Sequence, residues 1–187
     1  FTIPQPADGT MNLELAQGTP ATADLAGNLY AGGDTWSYEL DSDPPDVAST
    51  TPVAAALVNT LTSVSVTFDE AVQDVGLGDL QVNGSSTATG VTGSGAGPYT
   101  WTIPQPADGP VALVLNTGIP ATTDLAGNQY VGPETWGVDL DSTNPAIATL
   151  APTDGAIVTA LTSVSVTFDE SVSNVAMTDL LINGTAT

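Results

Sequence analysis

LTSVSVTFDE, residues 61–70, is the stretch that decides the fold. Apolar and small polar residues alternate through it, so Val64, Val66 and Phe68 lie on one face of an extended chain. This period of two is typical of a β-strand with one buried face. Similar alternation between turn residues predicts further short strands near 47–50, 79–83, 87–92, 99–104, 111–116 and 135–141. Short strands with no helical period favour an all-β fold of the β-sandwich class.

The same ten residues return at 161–170, which makes them part of a tandem repeat. A shift of 100 positions aligns residues 1–87 with 101–187 without a gap, and about half of the aligned residues are identical. The motif DLAGN, for example, starts at both Asp24 and Asp124.

Linkers between the repeats are expected where Pro, Asp and Ser collect after a strand, at 39–46 and 139–146. These linkers divide the chain into three parts. We expect the C-terminal half of one repeat at 1–44, a complete repeat at 45–142 and the N-terminal half of the next at 143–187.

The composition is acidic and has no positive side chain. Among 187 residues there are 21 Asp and Glu and no Lys, Arg or His, so the formal net charge is −21. The 41% of hydrophobic residues occur in alternating runs, so the chain is expected to fold with its charge on the surface. No side chain can neutralise phosphate, which argues against nucleic acid or an anionic membrane as partner. No apolar run reaches the roughly 18 residues of a transmembrane helix, so membrane insertion is not expected.

Catalysis is not expected either. His, Cys, Lys and Arg are absent, which excludes nucleophilic triads, Schiff-base chemistry and cationic clamps for phosphoryl transfer. A glycosidase with two carboxylates is the class that remains. Its acids should belong to one special cleft, whereas nearly every acid here has a counterpart one repeat away. The sequence therefore predicts a protein that is not an enzyme.

Motifs in a fixed order give the chain a family resemblance. They are SVSVTFDEAV from Ser63, GPYTWTIPQPADG from Gly97, TDLAGNQY from Thr123 and a closing DLDSTNP. In this order the whole chain resembles the bacterial Ig-like repeats of large extracellular adhesins, stalk proteins and S-layer-associated surface proteins. The resemblance implies tandem Ig-like β-sandwiches outside the cell, with calcium commonly bound where neighbouring domains meet.

Strand order provides an independent reason to expect a cation site at such a junction. If the strands alternate in direction, the loops after 63–68 and before 135–141 lie at the end where the linker enters. Their carboxylates then meet those of the linker, and calcium binds six to eight such oxygens. The predicted ligands of the complete junction are Asp41, Asp43, Asp69, Glu70, Asp124 and Asn128. The next junction would use Asp139, Asp141, Asp169 and Glu170, and the first half-repeat contributes Asp24 and Asn28.

A plain turn is the alternative interpretation of DLAGN. Asp and Asn side chains bond to their own backbone in turns, and Gly adopts positive φ there, so Asp24 and Asp124 need no metal to explain them. Asp69 and Glu70 likewise can be a solvated pair that follows a strand.

Together these features predict a structural repeat of an extracellular stalk or filament, rigidified by calcium at its domain junctions. The alternative is an adhesin module that recognises a glycan or protein, although the differences between repeats do not gather on one patch. The partner of a structural repeat is the protein itself. Either covalent repeats continue, or residues 145–187 of one subunit complete residues 1–44 of the next. Such a joint would lack a counterpart of residues 88–100, which favours the covalent version.

Overall fold

The computed structural model describes residues 1–186, which form two compact units, Phe1–Leu140 and the residues from Asp141 onward. The first unit contains β1 (Gly9–Leu15), β2 (Asp34–Leu40), β3 (Val47–Thr51), β4 (Leu57–Val58), β5 (Ser63–Phe68), β6 (Val72–Gln73), a 3-10 turn (Leu77–Asp79), β7 (Leu80–Val82), β8 (Gly90–Thr92), β9 (Tyr99–Thr102), β10 (Gly109–Leu115), β11 (Thr123–Asp124) and β12 (Glu134–Leu140). The second contains β13 (Ile147–Ala151), β14 (Ser165–Phe168), a 3-10 turn (Met177–Asp179), β15 (Leu181–Ile182) and β16 (Thr185–Ala186). The predicted all-β class is confirmed. Within residues 1–186, no helix has the length and apolar character needed to cross a membrane.

Two four-stranded sheets form the body of the complete repeat, as expected for a β-sandwich. Their strand orders are β3-β5-β9-β8 and β4-β12-β10-β7, and a separate ladder joins β6 to β11. The strands predicted from alternation are present. The strands β4, β6 and β11 have two residues each, which is too short to show a period in the sequence. The expected simple alternation of direction is wrong for β4, because it runs parallel to β12.

One hydrophobic cluster joins the inner faces of the two sheets. Val64 and Val66 from β5 are fully buried, as the period of two predicts, and Leu113 from β10 and Trp136 from β12 belong to the same cluster. At one end of it Phe68 packs edge-on against two tyrosines, with ring centroids 6.1 Å from Tyr99 and 5.6 Å from Tyr130. The repeat therefore has a core of its own.

The Asn83-Gly84 pair forms the hairpin turn that the sequence predicts. Both residues have positive φ, 49° for Asn83 and 76° for Gly84, as a type I′ turn requires. Val82 and Ser85 exchange backbone hydrogen bonds across it. The second unit repeats the turn at Asn183 (φ 50°) and Gly184 (φ 80°), between β15 and β16.

The first half-repeat folds as a β-hairpin. Strand β1 pairs with β2 from Gly9↔Leu40 to Leu15↔Asp34, and this register is the one that joins β10 to β12 in the complete repeat. In the hairpin, however, Trp36 and Tyr38 are exposed. The two strands of this half-repeat thus pair with each other as β10 and β12 do, but they form a sheet of two strands only, and Trp36 and Tyr38 on it stay exposed.

Candidate metal centre

Three separate stretches of chain bring acidic side chains together. Asp41 lies in the linker after β2, Glu70 lies in the loop after β5, and Asp124 lies in β11. Carboxylate oxygens of all three lie within 4.8 Å of one another. We call these three residues the acidic triad. Within residues 1–186, no other group of three or more acidic side chains is arranged this closely.

The short ladder between β6 and β11 places Asp124 beside Glu70. Asp124 pairs with Val72 and Thr123 with Gln73. The Gln73 side chain also donates to the Asp124 carbonyl at 3.1 Å. Because Glu70 precedes Val72 by two residues, the ladder that holds Val72 also holds Glu70 near Asp124.

Asp124 is fully buried, and its carboxylate is held by donors from its own turn. Its Oδ1 accepts from the backbone N–H groups of Gly127 at 2.6 Å and Asn128 at 2.8 Å. Its Oδ2 accepts from Asn128 Nδ2 at 2.7 Å. Burial by itself raises the pKa of Asp124, but these hydrogen bonds outweigh burial and hold the pKa below its ordinary value. Asp124 is therefore a fixed anion.

Hydrogen bonds from the first half-repeat and from the complete repeat hold the linker beside the triad. Asn128 Nδ2 donates to the Asp41 carbonyl at 3.1 Å, so one amide touches two members of the triad. From the preceding hairpin, the Asp8 carboxylate accepts from the Ser42 N–H at 3.0 Å and from Ser42 Oγ at 2.8 Å. The linker's place beside the triad is thus defined by side chains of both half-repeat and repeat.

Asp43 and Asp69 lie near the triad without belonging to it. The backbone N–H of Asp43 donates a hydrogen bond to Asp41 Oδ1 at 3.3 Å. Asp69 accepts from the Asp46 N–H at 2.8 Å through Oδ1, and its own N–H bonds the Asp46 carbonyl at 3.0 Å. Asp69 therefore joins the end of the linker to the loop that carries Glu70.

The electrostatics of the triad are unfavourable without a positive charge. Burial raises the pKa of Glu70, and the charges of Asp41 and Asp124 raise it further. The chain has no Lys, Arg or His to offset this repulsion. The nearby Asp41 carboxyl group adds to the shift, because like charges this close favour the protonated form of one of the two groups. A bound proton or cation would therefore stabilise the three carboxyl groups at this site.

The first half-repeat contains the same turn without the triad. Asp24 Oδ1 accepts from the N–H groups of Ala26 at 2.9 Å and Asn28 at 2.8 Å, and Asn28 Nδ2 donates to Asp24 Oδ2 at 2.7 Å. The hydrogen bond from the Asn28 side chain, followed by those from its backbone, lowers the pKa of Asp24. DLAGN is thus a side-chain-capped turn in both places, and only Asp124 also faces other acids within the described chain.

The second unit repeats part of the arrangement. Burial, the charges of Asp141 and Asp169 and a hydrogen bond to Asp141 all raise the pKa of Glu170. Asp169 Oδ1 accepts from the Ala146 N–H at 2.8 Å, as Asp69 does from Asp46. Asp139 lies within β12, where its N–H donates to the Ala56 carbonyl at 2.9 Å. A counterpart of Asp124 would lie one repeat further on, outside the 187 residues.

Sequence reasoning did not anticipate the β6–β11 ladder or the bonds of Asn128 to Asp124 and Asp41. Two-residue strands carry no period, and a side-chain bond between positions 87 apart leaves no local trace in the sequence. A scan against protein-family profiles and a search of curated proteins gave no match.

Proposed function

We propose that this chain is a piece of an extracellular stalk or filament built from tandem Ig-like repeats, and that calcium bound by the acidic triad stiffens the junction between repeats. The proposal depends on one observation, the meeting of Asp41, Glu70 and Asp124 within 4.8 Å. Asp41 belongs to the linker, whereas Glu70 and Asp124 belong to the complete repeat. A cation held by all three would therefore attach the linker to the repeat.

Coulomb repulsion supports a cation at this place. Two unit charges about 4 Å apart repel by roughly 4 kcal/mol at an effective dielectric of about 20. Three carboxylates in a chain without cationic side chains thus oppose their own meeting. A bound divalent ion reverses the sign of this interaction, so the junction would be rigid with the ion and weakened without it.

The donor set favours calcium. Hard cations prefer oxygen ligands, and calcium accepts six to eight of them at about 2.3–2.6 Å in irregular geometry, with water among them. The triad offers oxygens only, and exposed Asp41 leaves room for water. Magnesium demands nearly octahedral geometry, keeps several waters and is usually held by only one or two carboxylates, so a site where three carboxylates converge suits it less.

An extracellular location is consistent with a calcium site of this kind. Calcium sites of extracellular modules commonly work at dissociation constants of about 0.1–1 mM, which a site with few protein ligands can reach. The chain also has no cysteine, so its stability does not depend on the redox conditions of a compartment.

Thermal unfolding and small-angle scattering of the 187-residue chain test the proposal, in excess calcium, in chelator and in magnesium. We expect calcium to raise the melting temperature. We also expect the scattering in calcium to be that of a longer and stiffer molecule, and magnesium to have a smaller effect on both. At a free concentration 100 times the dissociation constant, a single site stabilises by about 2.7 kcal/mol. Asp41→Asn and Glu70→Gln should each remove most of this gain.

Asp74→Asn is the matched control. Asp74 is an exposed acid four residues after Glu70 in the sequence, and it lies outside the triad. Its replacement removes one charge but should leave the calcium effect unchanged. Equal responses of all three variants, or no calcium-specific response of the native chain, would refute the proposed site.

A further inference from the structure

A cavity of about 440 Å³ lies between the linker and the residues that lead into β12. The linker contributes Pro44, Pro45 and Asp46, and the other side consists of residues 130–134. All of these residues belong to the first unit. We call this cavity, which three prolines border, the proline pocket. Its lining includes none of the acidic triad, so the proposed calcium site does not use it.

Prolines and a valine give part of the proline pocket an apolar wall. Pro44 and Pro133 are exposed at its rim, whereas Pro45 is buried. Val131 is 71% exposed at the same rim. Proline has a fixed φ and no side-chain rotamer entropy to lose, so this wall can cover an apolar group of a ligand at a low entropic cost.

A buried tyrosine forms the floor of the pocket. Tyr130 is 4% exposed, and its ring packs edge-on against Phe68 in the core. Gly132 lies directly against the same ring, since a Cβ atom at this position would come within 2.5 Å of Tyr130 Cε1. Any larger residue would collide with the tyrosine, so the core and this glycine together define the shape of the pocket.

Two carboxylates make the pocket negative. Asp46 is exposed, and Glu134 is half-buried at the start of β12. Burial raises the pKa of Tyr130 to about 12, a backbone hydrogen bond of Glu134 opposes this shift, and the charges of Glu134 and Asp46 add to it. Both carboxylates therefore lie close enough to act on one hydroxyl group. The 187 residues include no Lys, Arg or His that could offset these charges.

The rim of the pocket differs between repeats, whereas its buried part does not. Pro45, Tyr130 and Gly132 have the same residue one repeat away, and each of them is needed for packing. The rim positions Pro44, Asp46, Val131, Pro133 and Glu134 correspond to Asn144, Ala146, Ala31, Gly33 and Asp34. The fold therefore requires the buried part of the pocket, while the full set of prolines and acids belongs to the complete repeat.

We propose that the proline pocket binds an arginine side chain of a partner protein, with the aliphatic stem against the prolines and Val131 and the guanidinium at Asp46 and Glu134. This inference goes beyond the proposed structural function, because it adds a partner other than a neighbouring repeat. None of the 187 residues has a positive side chain, so a second copy of them does not supply the occupant.

The form of the pocket favours a long cationic side chain over a bare metal ion. Calcium takes about six to eight oxygen ligands, and a wall of prolines and valine offers no side-chain oxygen. A cavity of 440 Å³ falls instead in the range of about 300–1,000 Å³ that organic groups occupy. Arginine and lysine both bury their methylene stems on apolar surface. Arginine suits two carboxylates better, because its planar guanidinium has five donors and is less strongly hydrated.

Titration with short peptides tests the inference on the 187-residue chain in excess calcium, with backbone amide shifts in NMR spectra as the readout. The probes are capped tripeptides with arginine, lysine or citrulline between two glycines, since citrulline keeps the shape of arginine without its charge. We expect the arginine peptide to shift the amides of Asp46, Val131 and Glu134 in a saturable way. The lysine peptide should bind more weakly, and the citrulline peptide should cause no saturable shift at these amides.

Two variants and a matched control separate the pocket from the general attraction of an acidic surface. Glu134→Gln and Asp46→Asn should each weaken binding of the arginine peptide about three- to fivefold, the effect of losing one exposed ion pair. Asn at position 46 keeps the oxygen that accepts the 2.8 Å bond from the Val47 N–H, so this variant should fold. Asp74→Asn removes the same charge from an exposed acid outside the pocket and should leave binding unchanged.

Three results would overturn the inference. They are equal binding of the arginine and citrulline peptides, tighter binding of the lysine peptide than of the arginine peptide, and equal weakening by Glu134→Gln and Asp74→Asn. None of them would affect the proposed calcium site, which the melting of the Glu70→Gln variant tests separately.

Discussion

Asn128 donates from Nδ2 to Asp124 Oδ2 at 2.7 Å and thereby fixes a carboxylate that is entirely buried. The same nitrogen lies 3.1 Å from the Asp41 carbonyl. A turn residue thus positions the buried acid of its own turn and the linker that arrives from the preceding half-repeat.

Asn128→Ala should therefore destabilise the complete repeat. A buried acceptor that loses its partner costs about 1–3 kcal/mol, and the linker loses an attachment as well. Urea unfolding measures the change. Asn28→Ala is the matched control, because Asn28 makes the same 2.7 Å bond to Asp24 on the exposed hairpin. Equal losses of unfolding free energy in the two variants would show that the burial of Asp124 does not increase the stabilising effect of the Asn128 bond.

Glu70→Gln should change the stability in opposite directions with and without calcium. In chelator at neutral pH, the variant should unfold at a higher temperature than the native chain, because it removes a charge that Asp41 and Asp124 repel. In excess calcium the order should reverse, because the variant lacks a ligand. Calorimetry under both conditions makes the comparison. A variant that is less stable in both would show that Glu70 supports the fold by other contacts.

Asp79 should make stability depend on pH in the acidic range. Burial raises the pKa of Asp79 above 3.8, although hydrogen bonds from the Gly76 N–H and the Thr122 side chain oppose the shift. A raised pKa in the folded state means that folding favours the protonated form. The contribution of Asp79 is therefore fully present below the unfolded pKa and is lost as pH rises through the folded pKa.

Urea unfolding of the native chain and of Asp79→Asn, from about pH 3 to pH 7, measures this contribution. The stability of the native chain relative to the variant should fall as pH rises and then level off. The Asn variant keeps an oxygen to accept the 2.6 Å bond from the Gly76 N–H, so it should fold. A constant difference over the whole range would exclude Asp79 as the titrating group.

Leu113→Ala and Leu13→Ala should differ in cost although the residues are counterparts. Leu113 is completely buried, and a Leu→Ala change in a packed core costs about 2–5 kcal/mol. Leu13 is only half-buried on the β1–β2 hairpin, so its replacement should cost clearly less. Chemical unfolding at low concentration tests this. Similar losses for both would mean that the hairpin already has a covered core.

Much of the fold follows from local patterns in the sequence. Val64, Val66 and Phe68 point into the core because side chains alternate along a strand, whatever lies opposite. Asn83 and Gly84 form their turn because both tolerate positive φ. Very short strands such as β6 and β11 have no such pattern, and their pairing depends on the sheets that bring them together.

The sequence by itself determined the β class, the tandem repeat and the supply of acids without cationic partners, because these depend on local periodicity and composition. It also indicated that linker and loop acids would lie close together. Only the tertiary structure decided that Asp41, Glu70 and Asp124 meet, while Asp69 bonds the linker backbone at Asp46. The physical reason is that a carboxylate's position depends on strand pairing and hydrogen bonds between residues far apart in the chain, as between Asn128 and Asp41.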